Sequence, residues 1–172
     1  QGKNKLLTYD CLLLFVQFLR YHPSASYPMP HRRQERPTYQ GLLEVSQQEM
    51  RDNARPEIAD TVDNMDDYDT IFIGYPIWWG DMPMIVRSFL ESYDLSGKTI
   101  VPFCTHGGSG LSRTESTIAD ITGGTMKKGL AIPGTTAQND RDTARSKVAQ
   151  WLREGDFIPL CRFGRSLSVS AP

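Results

Sequence analysis

The sequence is short of cysteine and histidine and has no long apolar run, and each shortage removes a class of protein. Its three cysteines, Cys11, Cys104 and Cys161, lie far apart and form no CxxC pair. Neither a disulfide framework nor a thiolate metal site is indicated, and a reducing cytoplasm suits them. The three histidines, His22, His31 and His106, show no HExxH or comparable ligand spacing, so no metal is expected. The longest apolar run, Cys11 to Leu19, falls far short of the roughly 20 residues that a membrane-spanning helix needs. A signal-peptide core is the other reading of that run, with Lys3 and Lys5 before it and Ser24-Ala25-Ser26 after it, but Asp10 at its border argues against this. The expected setting is cytoplasmic, with no membrane. An excess of charge is also lacking, since 19 basic residues stand against 20 acidic ones; nothing demands a nucleic acid.

What is present is an ordinary globular composition, 39% hydrophobic and 23% charged over 172 residues, which suits one soluble domain with a real core. Charge is uneven along the chain. Arg20, Arg32, Arg33 and Arg36 crowd one segment, while Glu44 to Asp69 is strongly acidic. The acidic stretch reads either as a solvated face or as a docking surface for a basic partner.

After residue 68, apolar β-rich runs alternate with helical patterns, the signature of βαβ units and a parallel sheet buried on both faces. Strands are predicted over Thr70 to Tyr75, Thr99 to Cys104 and about Met126 to Ile132. Between the first two, Ile85, Val86, Phe89, Leu90 and Tyr93 make one apolar helical face, with Pro83 in the first turn and Ser96-Gly97 as the stop. Ser112 and Glu115 form an S-x-x-E capping box before Ile118 and Ile121. A last helix runs from about Arg141 to Arg153, capped by Asn139 or Asp140, with Ala144, Val148, Trp151 and Leu152 on its buried stripe. An earlier helix, about Thr38 to Arg51, carries Tyr39, Leu42, Leu43 and Met50 on one side. Leu12 to Phe18 is a candidate buried strand, and Pro23, Pro28, Pro30 and Pro37 forbid a continuous helix behind it. The expected domain covers residues 1–154, atypical over 1–37, followed by an irregular extension over 155–172.

Two loops follow strands directly, where open parallel sheets bind their ligands. Pro76-Ile77-Trp78-Trp79-Gly80-Asp81-Met82-Pro83 puts two indoles where a turn normally carries small polar residues. A planar aromatic ligand would cover one of them, worth about 0.5 to 1.5 kcal/mol beyond area burial for a stacked pair. Packing of both indoles into the core or an interface is the alternative. Thr105-His106-Gly107-Gly108-Ser109-Gly110 supplies three glycines that let the backbone approach a ligand and aim N–H groups at a ring carbonyl or an anion, ahead of a helix N-terminus. A plain turn is the alternative there. The HGG within it also matches an esterase oxyanion-hole motif. That reading fails because Ser109 stands in GGSGL, which is no G-x-S-x-G elbow, and residues 39–153 hold no second histidine to act as base.

The stretch DDYDTIFIGYPIWWGDMPMIVRSFLESYDLSGKTIVPFCTHGGSGLSRT resembles bacterial flavodoxin-like proteins, particularly the group marked by YPIWWG after the third strand. YQGLLEVSQQEMRDNARPEI resembles that family's second helix and the segment after it, so the resemblance covers about residues 39–153. It implies an α/β fold with a five-stranded, doubly wound parallel sheet and FMN at the strand ends. It further implies that the tryptophan loop flanks the isoalloxazine and that the later loop contacts its pyrimidine side. Carried onto this chain, the contacts come from Pro76, Ile77, Trp78, Trp79, Gly80, Thr105, His106, Gly107, Gly108 and Gly110, and no residue serves as a nucleophile. The implied activity is electron transfer or FMN-dependent reduction, with a redox protein or a small-molecule electron acceptor as partner.

The chain departs from the family at its N-terminus, because no T-x-T-G-N-T phosphate turn is present and Leu19 to Ser26, after the candidate first strand, contains no glycine. The fold is therefore expected to be incomplete there, with an uncovered apolar sheet face that invites a partner, a homodimer or instability. The alternative function is a degenerate flavodoxin fold without tight FMN binding, acting as a protein-interaction module.

Overall fold

The computed structural model describes residues 6–7, 39–58, 61–62 and 64–157. In chain order these form β1 (Leu6–Leu7), α1 (Tyr39–Arg51), a 3-10 turn (Met65–Asp67), β2 (Thr70–Pro76), α2 (Met84–Glu91), β3 (Thr99–His106) and α3 (Thr114–Thr122). The chain continues as β4 (Thr125–Met126), β5 (Leu130–Pro133), α4 (Gly134–Asn139) and α5 (Arg141–Glu154). Every strand pairing is parallel, with β1 on β2, β2 on β3, and both β4 and β5 on β3.

The single strand expected near residues 126–132 is split in two, and the cause lies on its neighbour. Lys127 N–H donates to Ile100 O at 2.9 Å, and in a parallel ladder the return bond to Lys127 would come from residue 102. That residue is Pro102, which has no N–H to give. The chain detaches there, and Gly129 N–H turns instead to Glu115 Oε1 at 2.9 Å. β4 thus pairs with Thr99 and Ile100, and β5 with Phe103 to His106. Among the described residues the sheet has four lanes, made of five strand segments, where five strands were expected. The lane beside β2 is taken by Leu6–Leu7. The Leu12 to Phe18 run expected to supply the first strand lies outside the described residues.

Burial on both faces explains the near-continuous apolar runs. Ile71, Ile73, Tyr75, Ile100 and Cys104 join Met82 and Leu90 from the α2 region, Leu95, and Ile118 from α3 in one core. Phe72 and Val101 face the other way, where Trp151 of α5 covers them with Phe103, Leu130, Leu152 and Phe157. Trp151 meets Phe72 edge-on at 5.8 Å, and its indole N–H donates to Lys128 O at 2.8 Å, so the buried ring is satisfied at its polar end. Phe157, within the segment expected to be irregular, also packs on Phe72, at 5.1 Å. Residues 158–172 lie outside the described set.

Two of the expected helix caps fare differently. Asp140 caps α5, its Oδ1 accepting the Thr143 N–H at 3.1 Å, as one of the two proposed caps. The Ser112–Glu115 capping box does not form. Arg113 occupies the cap position of α3 without a side-chain bond, Ser112 donates to Gly80 O at 2.7 Å, and Glu115 is engaged by Gly129. The two side chains are drawn to loops far away in sequence. On α1, Leu42, Leu43 and Met50 are half-buried, as its apolar side requires, while the Tyr39 side chain is outside the described residues.

Cys104 sits in the first core at 2% exposure, and burial, reinforced by the Glu115 charge, pushes its thiol from 9.0 up to about 11. The raised value belongs to the folded state, so the contribution to stability is complete below pH 9 and is lost as pH rises from 9 toward 11. The same shift protects the thiol. In a Cys11→Ser/Cys161→Ser background, iodoacetamide should label native protein at pH 8 about 100-fold more slowly than protein unfolded in urea, from the thiolate fraction alone. Equal rates would contradict the burial.

Candidate functional site

The two unusual loops leave the sheet side by side, because β2 and β3 pair in register up to Pro76 and Thr105. Ile77 N–H then donates to Thr105 O at 2.8 Å, carrying the pairing one residue into the first loop. There Trp78 and Asp81 exchange backbone hydrogen bonds of 2.8 and 2.9 Å, closing a four-residue turn with Trp79 at φ +54° and Gly80 at φ +78°. Positive φ at both central positions is the type I′ pattern. Glycine adopts it freely, whereas a tryptophan there stores strain of about 1 to 3 kcal/mol.

Side chains hold this turn in place. Asp81 Oδ1 accepts the Met82 N–H at 2.8 Å, and Oδ2 pairs with Arg87 of α2 at 2.6 Å. The Trp79 indole N–H donates to Ser46 Oγ on α1 at 3.0 Å. Even so, Trp79 remains 48% exposed, while Trp78 is half-buried.

The second loop offers its backbone. Gly108 at φ +141° and Gly110 at φ +61° adopt conformations that side chains disfavour, and a Cβ placed on Gly107, Gly108 or Gly110 would meet nothing within 4 Å. The dihedrals thus require glycine at 108 and 110, and at all three positions the backbone faces open space. The amide N–H groups of Gly107, Ser109 and Gly110, and of Trp79 and Gly80 in the first loop, make no hydrogen bond among the described residues. Gly108 N–H donates to His106 Nδ1 at 3.0 Å. That bond needs the Nδ1 lone pair, so the neutral ring carries its proton on Nε2.

A polar thread runs beneath and between the loops. Ser112 Oγ donates to Gly80 O at 2.7 Å and ties one loop to the other. Under them, Tyr75 donates to Thr114 Oγ1 at 2.7 Å, and Thr114 donates to Leu111 O at 2.6 Å. Both side chains are fully buried. Burial raises the Tyr75 phenol well above its ordinary range against the opposing effect of the Thr114 bond, so it stays a proton donor.

All ten residues expected to form the site, from Pro76 to Gly80 and from Thr105 to Gly110 without Ser109, therefore converge at the carboxyl ends of β2 and β3. Four residues that shape the site were not expected. Ser46 and Thr114 carry no local signal, Tyr75 reads as the end of a strand, and Ser112 as part of a helix cap. Among the described residues no cluster of His, Cys, Asp and Glu is placed to hold a metal ion, and no helix is long and apolar enough to cross a membrane.

A family model for flavodoxin matches residues 40–154. The structure is similar to that of a Bacteroides eggerthii protein designated a flavoprotein, with 30% identity and a TM-score of 0.55 over 74% of this chain and 77% of the other. A Bacteroides uniformis protein of the same designation gives 33% identity and a TM-score of 0.57 over 69% and 76%. A Lactobacillus acidophilus flavoprotein solved in complex with FMN lies further away, at 22% identity and a TM-score of 0.44 over 58% and 68%. Comparison with curated proteins gives no match. Because the family model spans more than half of the sequence and its two characteristic loops meet at the strand ends, the chain belongs to the flavodoxin family.

Proposed function

We propose that this protein binds FMN by its ring system, between residues 76–80 and 105–110, and works as an electron carrier or an FMN-dependent reductase. The observation that carries the reading is a set of five backbone amides that make no hydrogen bond among the described residues, beside a half-exposed indole, on two loops fastened together at the strand ends. Bound FMN supplies the redox chemistry. The chain supplies position and potential. Trp79 offers an aromatic face for stacking. The Gly107, Ser109 and Gly110 amides are donors for ring carbonyls and favour negative charge nearby. His106, its Nδ1 taken by the Gly108 amide, offers Nε2–H as one more donor. A redox protein or a small electron acceptor completes the proposal.

The ring side of the site fits FMN, but the phosphate side has no counterpart of the family turn, since the sequence contains no glycine between Gly2 and Gly41. A phosphate held by several charge-assisted hydrogen bonds gains about 1.5 to 3 kcal/mol from each. Without that cradle the ring contacts dominate, and FMN and riboflavin should bind with dissociation constants within about ten-fold of each other. Titration of either flavin with the purified protein, followed by flavin fluorescence, tests this. Saturable quenching by both is expected. A protein that leaves both flavins unquenched overturns the flavin reading and favours a protein-interaction module.

A further inference from the structure

We infer that Ser46 of α1 is a positioning residue for the flavin ring, acting through the indole of Trp79. Resting on the ring-binding reading, the inference goes beyond it by assigning a role to a helix that contributes none of the expected contacts. Trp79 projects from a turn at φ +54° and is 48% exposed, so little packing restrains it. Its polar restraint is the 3.0 Å bond to Ser46 Oγ, between residues 33 positions apart.

The chemistry of that bond has one direction. An indole N–H only donates, and a serine hydroxyl has a single proton. Ser46 spends its proton on Leu43 O at 3.0 Å, which leaves a lone pair turned to Trp79. The helix backbone thus orients the acceptor, and the acceptor orients the indole.

The anchor itself is held. α1 packs on α2, and just beyond its end Arg55 grips Glu91 of α2 with two bonds, of 2.5 and 2.8 Å. A ring that stacks on an indole already fixed in one rotamer avoids the entropy of ordering it. Ser46 is therefore expected to strengthen binding without touching the ligand.

Two measurements test this, and alanine, the strongest helix former, should leave the fold of a Ser46→Ala variant intact. In protein free of flavin, the Trp79 indole N–H should exchange with solvent faster in Ser46→Ala than in wild type by NMR, while the buried Trp151 N–H is unchanged and Ser46→Thr restores slow exchange. In riboflavin titrations Ser46→Ala should weaken binding about three- to ten-fold, the equivalent of one neutral hydrogen bond. On a Trp79→Phe background, which keeps an aromatic face but has no N–H, Ser46→Ala should have no further effect. An equal loss on both backgrounds would show that Ser46 acts only through the helix, and an unaltered Trp79 exchange rate would overturn the inference outright. Slow exchange in a wild type that binds no flavin would sink the ring-binding reading and the ligand role together, while leaving the hold of Ser46 on Trp79 established.

Discussion

Replacing Thr114 with valine is expected to lower the unfolding free energy by about 2 to 3 kcal/mol, whereas Tyr75→Phe should lower it by only about 1 kcal/mol, measured by urea denaturation. The asymmetry follows from where each change leaves an unpaired group. Valine matches the shape of Thr114 but removes the oxygen that accepts the Tyr75 hydroxyl at 2.7 Å. Leu111 O keeps the Thr114 N–H at 3.1 Å, so the orphan is the phenol, fully buried at 0% exposure. Tyr75→Phe deletes the phenol itself, and Thr114 retains its bond to Leu111 O. With the phenol gone, Thr114→Val should cost less than it does alone, so the double variant falls short of the summed single losses. Equal losses for the two single variants would mean that the phenol finds another partner.

The parts of this fold that were legible in the sequence are those whose cause is local. β2 and β3 begin at Thr70 and Thr99 as expected, because a strand covered on both faces must be apolar without interruption. Their far ends run past Tyr75 and Cys104, since pairing continues until the loops diverge, and apolar character does not mark that point. The two loops that meet at the strand ends were legible for a different reason. Two tryptophans and three glycines in turns are residue types that a simple connection does not need.

What could not be read depends on partners chosen in three dimensions. Pro102 is visible in the sequence, yet its effect falls on the neighbouring lane and requires the register of β3 against β4. Ser112 and Glu115 have the right spacing for a cap, but Gly80 and Gly129 compete for them and win. Ser46 is an unremarkable serine on a polar helix until the fold brings Trp79 within 3.0 Å. Hydroxyl residues are common and their roles are set by geometry, so a sequence points only to their local partners or to none. The short β1 has the same character: two leucines acquire meaning only from their register on Thr70 and Ile71.

Gly80→Val should disturb the ring site more than any other single change in the first loop, raising the riboflavin dissociation constant about ten- to 100-fold and lowering stability by about 2 kcal/mol. At φ +78° a Cβ on Gly80 would stand 3.7 Å from Ser112 Oγ, so an alanine has room and meets mainly the dihedral penalty. Valine adds branching, which is least tolerated at positive φ, and its methyl groups crowd the hydroxyl that bonds Gly80 O at 2.7 Å. The turn must then open, breaking the Trp78–Asp81 pair, releasing Trp79 and separating the amides of the two loops. Ser112→Ala removes only the tie and should weaken binding about three- to ten-fold. Gly80→Asn separates the remaining causes, because asparagine accepts the left-handed conformation at lower cost than other side chains. If asparagine binds riboflavin nearly as well as glycine, the dihedral is what the site requires of residue 80. If it binds as poorly as valine, the requirement is open space above the turn, where the ring would lie.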